Sequence, residues 1–437
     1  MAGADTTTQD YLYNEIVLPE ITEGVNNEFP LKDLCEDIDV SEDYAAGRGV
    51  KWKHHAKRNV SPFFTREGAA FAIAGKQGGV EGLITPAKLM ARIKMTAEAM
   101  SYGTSSDAAI KSGKKEEINR IIEDISWREE GALGMDGRGI LCYLNGEPGT
   151  GVTPAEVDTP GNIAGADFGN RYLQTDMFVG AINPTGNVLR AGIVQIAAVS
   201  DDGTDFTPAT AYNSAWADND YIVHAANGSV TDILDTSFEA AYRGLPALVD
   251  DSTNWDNYFG VLRSVVPSVK SYVNASTGAL STDLLQRLAD VVYQKLGGKV
   301  DLMVTHPSIR RLIIQLTEQD RRYQGASLMK PDPGTVAFQQ GDLTMGEVPI
   351  KAIRSMPLTQ LYLLDSKKMG LKRLVAEAGK FVDEDGSIWQ RDGTGAAATD
   401  SFECWYRRIQ QYFMANPGKC ARADSITGMT LVVVRSE

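Results

Sequence analysis

Four histidines, four cysteines and 57 carboxylates are the side chains of this 437-residue chain that could do chemistry. Their spacing decides whether they do. His54 and His55 stand together in a run rich in lysine and arginine, and His224 falls in a strand-like stretch. His306 precedes Pro307 at a turn, where a capping or hydrogen-bonded role is the ordinary one. No HExxH pair places two imidazoles on one helix face for zinc. Cys35, Cys142, Cys404 and Cys420 are scattered, so they write neither a disulfide framework nor a zinc knuckle. A GxSxG elbow is missing, and none of the Gly-Lys pairs (75/76, 113/114, 298/299, 379/380, 418/419) is followed by Ser or Thr, as a phosphate-cradling P-loop requires. The run Asp383, Glu384, Asp385, Gly386 has a calcium-loop look, but its glycine comes fourth where the EF-hand turn needs it sixth. A hairpin tip is the better reading. Paired carboxylates remain open, because so many acids make chance pairs inevitable and only a fold shows which share a cleft. The expectation is therefore no enzyme: no catalytic residue, no cofactor and no metal.

If the side chains are not arranged for catalysis, the elements that carry them must be arranged for something else. The hydrophobic content of 43% lets two or three folding units each bury a core. No apolar run approaches the roughly 20 residues of a spanning helix, and the start MAGADTTTQD lacks the basic and apolar parts of a signal peptide. Synthesis in the cytoplasm, with no membrane, is expected. A formal charge of -14 argues against coating nucleic acid with the whole surface. Residues 1–43 carry net -11, with Lys32 their only base; residues 44–67 reverse the sign to net +5 through Arg48, Lys51, Lys53, Lys57, Arg58 and Arg66. An acidic arm beside a basic loop predicts attraction between arm and loop of different copies in an assembly.

Along the chain, residues 1–43 hold only short apolar patches and fit an arm that folds against partners. From Ala45 to Gly82, two extended runs around Pro62, closed by glycines, signal a long hairpin. Its apolar residues (Val50, Trp52, Phe63, Phe64, Phe71, Ile73) are too few for a core, so it must lie on something. Arm and hairpin are both expected to touch their own body little. Residues 88–96 alternate as a strand, the favoured reading, although Leu89, Ile93, Ala97 and Met100 also suit a helix. From about Lys114 to Leu133 a helix carries Ile118, Ile121, Ile122 and Ile125 on one stripe and stops at Gly134, Gly137 and Gly139. Residues 145–230 read as short strands and turns, a β-rich module. Ser281 to Asp283 can cap a helix ended by Gly297 and Gly298; the strand VDLMV (300–304) and a helix opened by Pro307 follow, the core of an α/β unit. LYLLD (361–365), SFECWYRRIQQYF (401–413) and TLVVV (430–434) close the chain as extended segments.

This order of elements resembles the major capsid proteins of tailed phages, the Hong Kong 97-type fold. KRNVSPFFTREGAAFAIAGKQ is similar to that family's extended loop, and the helix ending REEGALGMDGRG to its spine helix. STDLLQRLADVVYQKLGGKVDLMVTHPSIRRLIIQLTEQDRRY is similar to its axial domain. The likeness spans nearly the whole chain and rests on colinearity. It implies an α+β fold with N-terminal arm (1–43), extended β-hairpin loop (44–82), peripheral domain with spine helix (83–144), β-rich insertion with peripheral strands (145–250), axial domain (251–360) and closing strands (361–437). It further implies a phage head shell of hexamers and pentamers around double-stranded DNA, held by non-specific contact, with a portal and a possible decoration protein. An arm of 43 residues is too short for the fused scaffolding region of some relatives, so a separate scaffolding protein is expected. The family's lysine–asparagine cross-link has no matching motif. The expected assembly interface is Arg48, Lys51, Trp52, Lys53, Lys57, Arg58, Phe63 and Phe64. The alternative is an encapsulin-like compartment holding enzyme cargo, against which the β module weighs.

Overall fold

The computed structural model describes residues 32–42, 49–67, 70, 73–98, 113–149, 151–159, 169–212, 215–225, 238–321, 343–345, 348–365, 371–382, 388–391 and 400–428. Residues 1–31, Arg48, Phe71, the run 383–387 and TLVVV lie outside them.

The chain enters with strand β1 (Glu36–Asp39), runs out and back as β2 (Val50–Lys57) and β3 (Gly78–Ile84), and continues through β4 (Ala87–Thr96) into helix α1 (Gly113–Gly134). Six strands follow: β5 (Ile140–Tyr143), β6 (Ala155–Glu156), β7 (Phe178–Asn183), β8 (Val188–Val199), β9 (Asp205–Pro208) and β10 (Tyr221–His224). A short helix α2 (Leu245–Leu248), the ladder β11 (Asn257–Tyr258) with β12 (Val261–Leu262), and strands β13 (Tyr272–Asn274) and β14 (Gly278–Ala279) lead to helix α3 (Thr282–Leu296). Then come β15 (Leu302–Thr305), helix α4 (Pro307–Arg321), β16 (Leu343–Met345), β17 (Val348–Ala352) and β18 (Leu361–Leu364). The chain closes with β19 (Leu371–Phe381), β20 (Gln390–Arg391), β21 (Ser401–Met414), β22 (Ala421–Ala423) and β23 (Ile426–Thr427).

Three sheets organise these elements. In the first sheet, β21 lies between β4 and β19, and β19 takes β1 as a parallel neighbour. Period-two alternation gives β21 two working faces. Arg408, Gln410 and Tyr412 face α1, while Ile409 and Phe413 enter the main core. The second sheet runs β13-β22-β18-β15-β17-β16. Leu302, Val304, Tyr362 and Leu364 join the main core, whereas Met303, Leu361 and Leu363 meet Leu285, Leu288 and Val292 of α3 and Ile309 and Ile313 of α4. Burial on both faces explains why LYLL and LMVT read as continuous apolar runs. The β module is a six-stranded sheet, β5-β10-β7-β8-β9-β6, with its own core around Trp216, Phe206 and Leu141.

The helix signals in the sequence have their physical counterparts. Ser281 Oγ accepts from Leu284 N at 3.2 Å, and Gly297 takes φ +63 at the far end of α3, a left-handed turn that glycine makes without a Cβ clash. In α1, Ile118 and Ile121 pack on Ile93 and Met95 of β4, Ile125 is buried, and Ile122 is half-buried. A Cβ at Gly134 would overlap Ser355 O, so the end of α1 is butted directly against the chain between β17 and β18.

Two expectations about the periphery are corrected. The described part of the arm is not free of its own body: β1 pairs with β19 in register Glu36↔Lys372 to Asp39↔Val375, and Val40 N donates to Val375 O at 2.9 Å. Leu34, Ile38 and Val40 carry it into the core, because a strand edge with an apolar face offers both backbone and side-chain partners. The hairpin is likewise rooted on its own chain through Trp52.

Candidate assembly interface

The hairpin begins as a regular antiparallel pair, from Val50↔Ile84 to Lys57↔Gly78, with a bulge between His55 and Lys57. Alternation turns Trp52 inward and Lys51 and Lys53 outward. Trp52 stacks edge-on to Tyr258, tilts against Phe413, and donates Nε1–H to Phe259 O at 3.4 Å. It is 7% exposed, so its place among the expected interface residues is corrected: an indole of this size is worth more in the core shared with Tyr258 and Phe413 than at a surface. Opposite Trp52 stands Gly82, where a Cβ would overlap both the indole nitrogen and Phe259 O. Leu83 N donates to the same Phe259 O at 2.9 Å. His54 Nε2 and Ser268 Oγ lie 2.8 Å apart, and burial, then the charge of neighbouring His55, pushes the His54 pKa below its ordinary value.

Beyond Lys57 the two strands stay close, since Gly75 sits against Asn59 and the backbone of Ser61. Nothing of the described body covers this outer part. Phe64 and Ile73 are fully or nearly fully exposed, and Val60 and Phe63 stand more than half open. Lys51, Lys53, Lys57 and Arg58 are exposed along the same hairpin. Among the described residues the root is therefore clamped and the apolar tip is bare.

The expected attraction between acidic arm and basic hairpin loses part of its charge to pairs within the chain. Asp37 binds Arg373, which donates Nε–H to its Oδ1 at 2.7 Å, and Glu36 lies 3.6 Å from Lys372 Nζ. Across the hairpin, Lys53 meets Glu81 at 3.4 Å, both well exposed.

Behind the hairpin lies a polar site that the sequence reading missed. Glu129 of α1, fully buried, accepts from Arg408 at 2.5 Å and Arg373 at 3.2 Å, and from Gln410 and Tyr412. Burial disfavours the Arg408 charge, yet Glu129 and Tyr406 together outweigh it and hold the guanidinium pKa up; burial, then Glu129, drives the Tyr412 phenol well above its usual range. The signal was present in the spacing: Glu129 falls four residues after Ile125 and four before Leu133, on the apolar stripe itself. Gly82 also carried a signal, since glycine inside a strand marks close approach of another backbone.

Among the described residues no group of three or more His, Cys, Asp or Glu side chains could hold a metal ion, and no helix is long and apolar enough to cross a membrane. A small cavity of about 20 Å³, room for one water, is lined by Leu34, Leu245, Leu302, Leu364, Leu371, Met414 and a single carboxylate, Asp365.

The family model described as SU10 major capsid protein matches residues 225–392. Of the solved structures, the Cyanophage A-1(L) capsid asymmetric unit superposes with a TM-score of 0.54 at 11% identity, covering 95% of this chain and 97% of that one. A chain from Microbacterium phage Oxtober96 gives a TM-score of 0.46 at 10% identity over 97% and 99% of the two chains. The holo-SrpI encapsulin of Synechococcus elongatus PCC 7942 gives 0.43 at 11% over 98% and 96%. None of the curated proteins matches the sequence. The fold is thus similar to that of the chain in the Cyanophage A-1(L) capsid asymmetric unit. The match to the SU10 major capsid protein model covers less than half of the chain, residues 225–392.

Proposed function

We propose that this subunit forms the icosahedral head of a tailed phage as hexamers and pentamers, encloses double-stranded DNA by non-specific contact, and places its hairpin tip on a neighbouring copy. The single observation that carries the interface is the bare apolar tip on a clamped root: Phe63 and Phe64 have no cover from their own chain among the described residues. Arg48, Lys51, Lys53, Lys57 and Arg58 are the bases proposed to add charge to the assembly interface. In this reading 1–43 is an arm, 44–82 the extended loop, 83–144 the peripheral domain with spine helix, 145–250 the β-rich insertion, 251–360 the axial domain and 361–437 the closing strands. Residues 258–269 also line the hairpin's root, so the axial and peripheral parts share one core there. A separate scaffolding protein, a portal and a decoration protein are the proposed partners. The subunit is made in the host cytoplasm and ends in the virion head.

The test is electron microscopy of particles formed by the expressed chain with its head partners, together with analysis of their contents. Icosahedral shells holding nuclease-protected DNA are expected. Shells holding a protein cargo and no DNA would replace this reading by the compartment alternative. Phe63→Ser with Phe64→Ser should abolish shells while leaving folded subunits.

A further inference from the structure

Two residues on the inward face of β2 fasten the hairpin to the body. Trp52 is the inner anchor, held by Tyr258, Phe413 and Phe259 O. His54, two residues on and so on the same face, is the outer one. Its Nε2 lies 2.8 Å from Ser268 Oγ on the turn Pro267–Val269, and its ring centroid is 5.9 Å from that of Trp52. Ala56, the next residue of that alternation, is exposed. Among the described residues, no hydrogen bond or ion pair joins the hairpin to the body beyond His54. The ladder also weakens there: the bulge between His55 and Lys57 lies opposite Gly78 and Gly79, and glycine gives a strand no side chain to pack.

The two anchors respond differently to protons. Trp52 meets two rings and a backbone carbonyl, none of which gains or loses a proton near neutral pH. His54 does titrate there. It is half-buried, and burial, then the neighbouring His55, hold its pKa below the ordinary value. The elements packed around it supply no compensating acid. Val80, opposite on β3, is apolar and packs on the main core, and Glu81 beside it meets Lys53 at 3.4 Å across the hairpin. Past Ser268 on the body side comes Lys270, whose Nζ lies 3.4 Å from Ser252 Oγ and which has Asp256 for a neighbour. No carboxylate is among the groups that shift His54. A folded pKa below the unfolded value near 6.5 means that the contact contributes fully above pH 6.5 and is lost as pH falls toward the folded pKa.

We infer that His54 is a proton-sensitive hinge: neutral, it fastens the hairpin to Ser268, and on taking up a proton it lets the ribbon fall back on the Trp52 anchor. The free ribbon then begins two residues earlier, roughly 7 Å nearer the core at about 3.3 Å per residue. The turn at Ser268 no longer sets its angle, so acid changes the reach of everything beyond Lys57. The device belongs to the single subunit, and it stands or falls independently of the shell reading.

Amide hydrogen exchange of the full-length subunit at pH 7.5 and pH 5.5, corrected for the intrinsic pH dependence of exchange, tests it. In the unaltered chain the protection of residues 54–57 and 78–80 should fall severalfold between the two pH values, while β19 and β21 keep theirs. His54→Gln retains an amide that can bond Ser268 but does not titrate, so its hairpin should be equally protected at both. His54→Ala removes the anchor and should show the low protection at both. His55→Gln, which leaves His54 in place, should keep the response. Equal protection of the unaltered hairpin at the two pH values would overturn the hinge. So would a pH response that survives in His54→Gln, because another group would then carry it. Protection in His54→Ala equal to that of the unaltered chain at pH 7.5 would show that the Ser268 contact does not hold the hairpin, and would overturn it as well.

Discussion

Arg408 on β21 donates to the Glu129 carboxylate of α1 at 2.5 Å, and both side chains are buried. The pair joins α1 to the sheet beneath it, with Arg373, Gln410 and Tyr412 closing around the same carboxylate. Removing Glu129 takes the buried carboxylate away from Arg408, while Arg373 keeps its pair with Asp37. Glu129→Ala should destabilise the subunit by about 3–5 kcal/mol, the usual cost of breaking a buried ion pair from one side. Arg373→Ala should cost less, since Arg408 still satisfies the carboxylate. Urea unfolding of the three proteins checks the order, and equal losses for both variants would contradict it.

Gly82→Ala puts a methyl group where the Trp52 ring nitrogen and Phe259 O already are. Overpacking of this kind costs about 1–3 kcal/mol, and here the strain falls on the hairpin's root. Faster proteolytic cleavage between Lys57 and Lys76, with the rest of the chain resistant, is the expected outcome. Cleavage no faster than in the unaltered chain would mean that the root tolerates the methyl.

His306 Nδ1 accepts from Ser308 N at 3.2 Å at the start of α4, and burial, then the charges of Arg171 and Arg311, push its pKa down to about 3. His224 is pushed down to about 4 by burial and Arg128. For a histidine whose folded pKa lies below its unfolded value near 6.5, the stabilisation is complete above pH 6.5 and is lost as pH falls toward the folded pKa. Subunit stability should therefore drop between pH 6.5 and 4. His306→Asn, which keeps a capping acceptor without a titrating ring, should recover at least ~1 kcal/mol of that loss, the worth of about one pKa unit. Urea midpoints at pH 7 and pH 4.5 measure it; an unchanged pH slope in the variant would rule the assignment out.

Changing Lys51, Lys53 and Lys57 to Glu should block assembly of empty shells in the absence of DNA. One exposed ion pair contributes only ~0–1 kcal/mol, but every copy in a shell repeats it. The same contacts should weaken as salt rises past about 0.1 M, where screening acts within ~10 Å. Since Lys53 already meets Glu81 in its own hairpin, Lys51→Glu with Lys57→Glu should come close to the triple variant. Normal empty shells from the triple variant, beside salt-sensitive DNA binding by the unaltered subunit, would assign these bases to nucleic acid instead.

The sequence by itself determined the local elements and their order. Ser281 and Gly297 bound α3, the isoleucine spacing made α1, alternation made β4, and continuous apolar runs made the buried axial strands, because caps, turns and periodicity act over a few residues. The absence of catalytic spacing was also legible there. Only the tertiary structure decided which surfaces those elements share. Glu129 looks like any helix carboxylate until Arg373 and Arg408, more than 240 residues away, close on it. Trp52 looks like a hairpin's exposed anchor until Tyr258 and Phe413 bury it. The charges at Glu36 and Asp37 look free until β19 brings Lys372 and Arg373 beside them. Each depends on strand pairing and packing between segments far apart in the chain, and no local pattern carries the register in which distant segments meet.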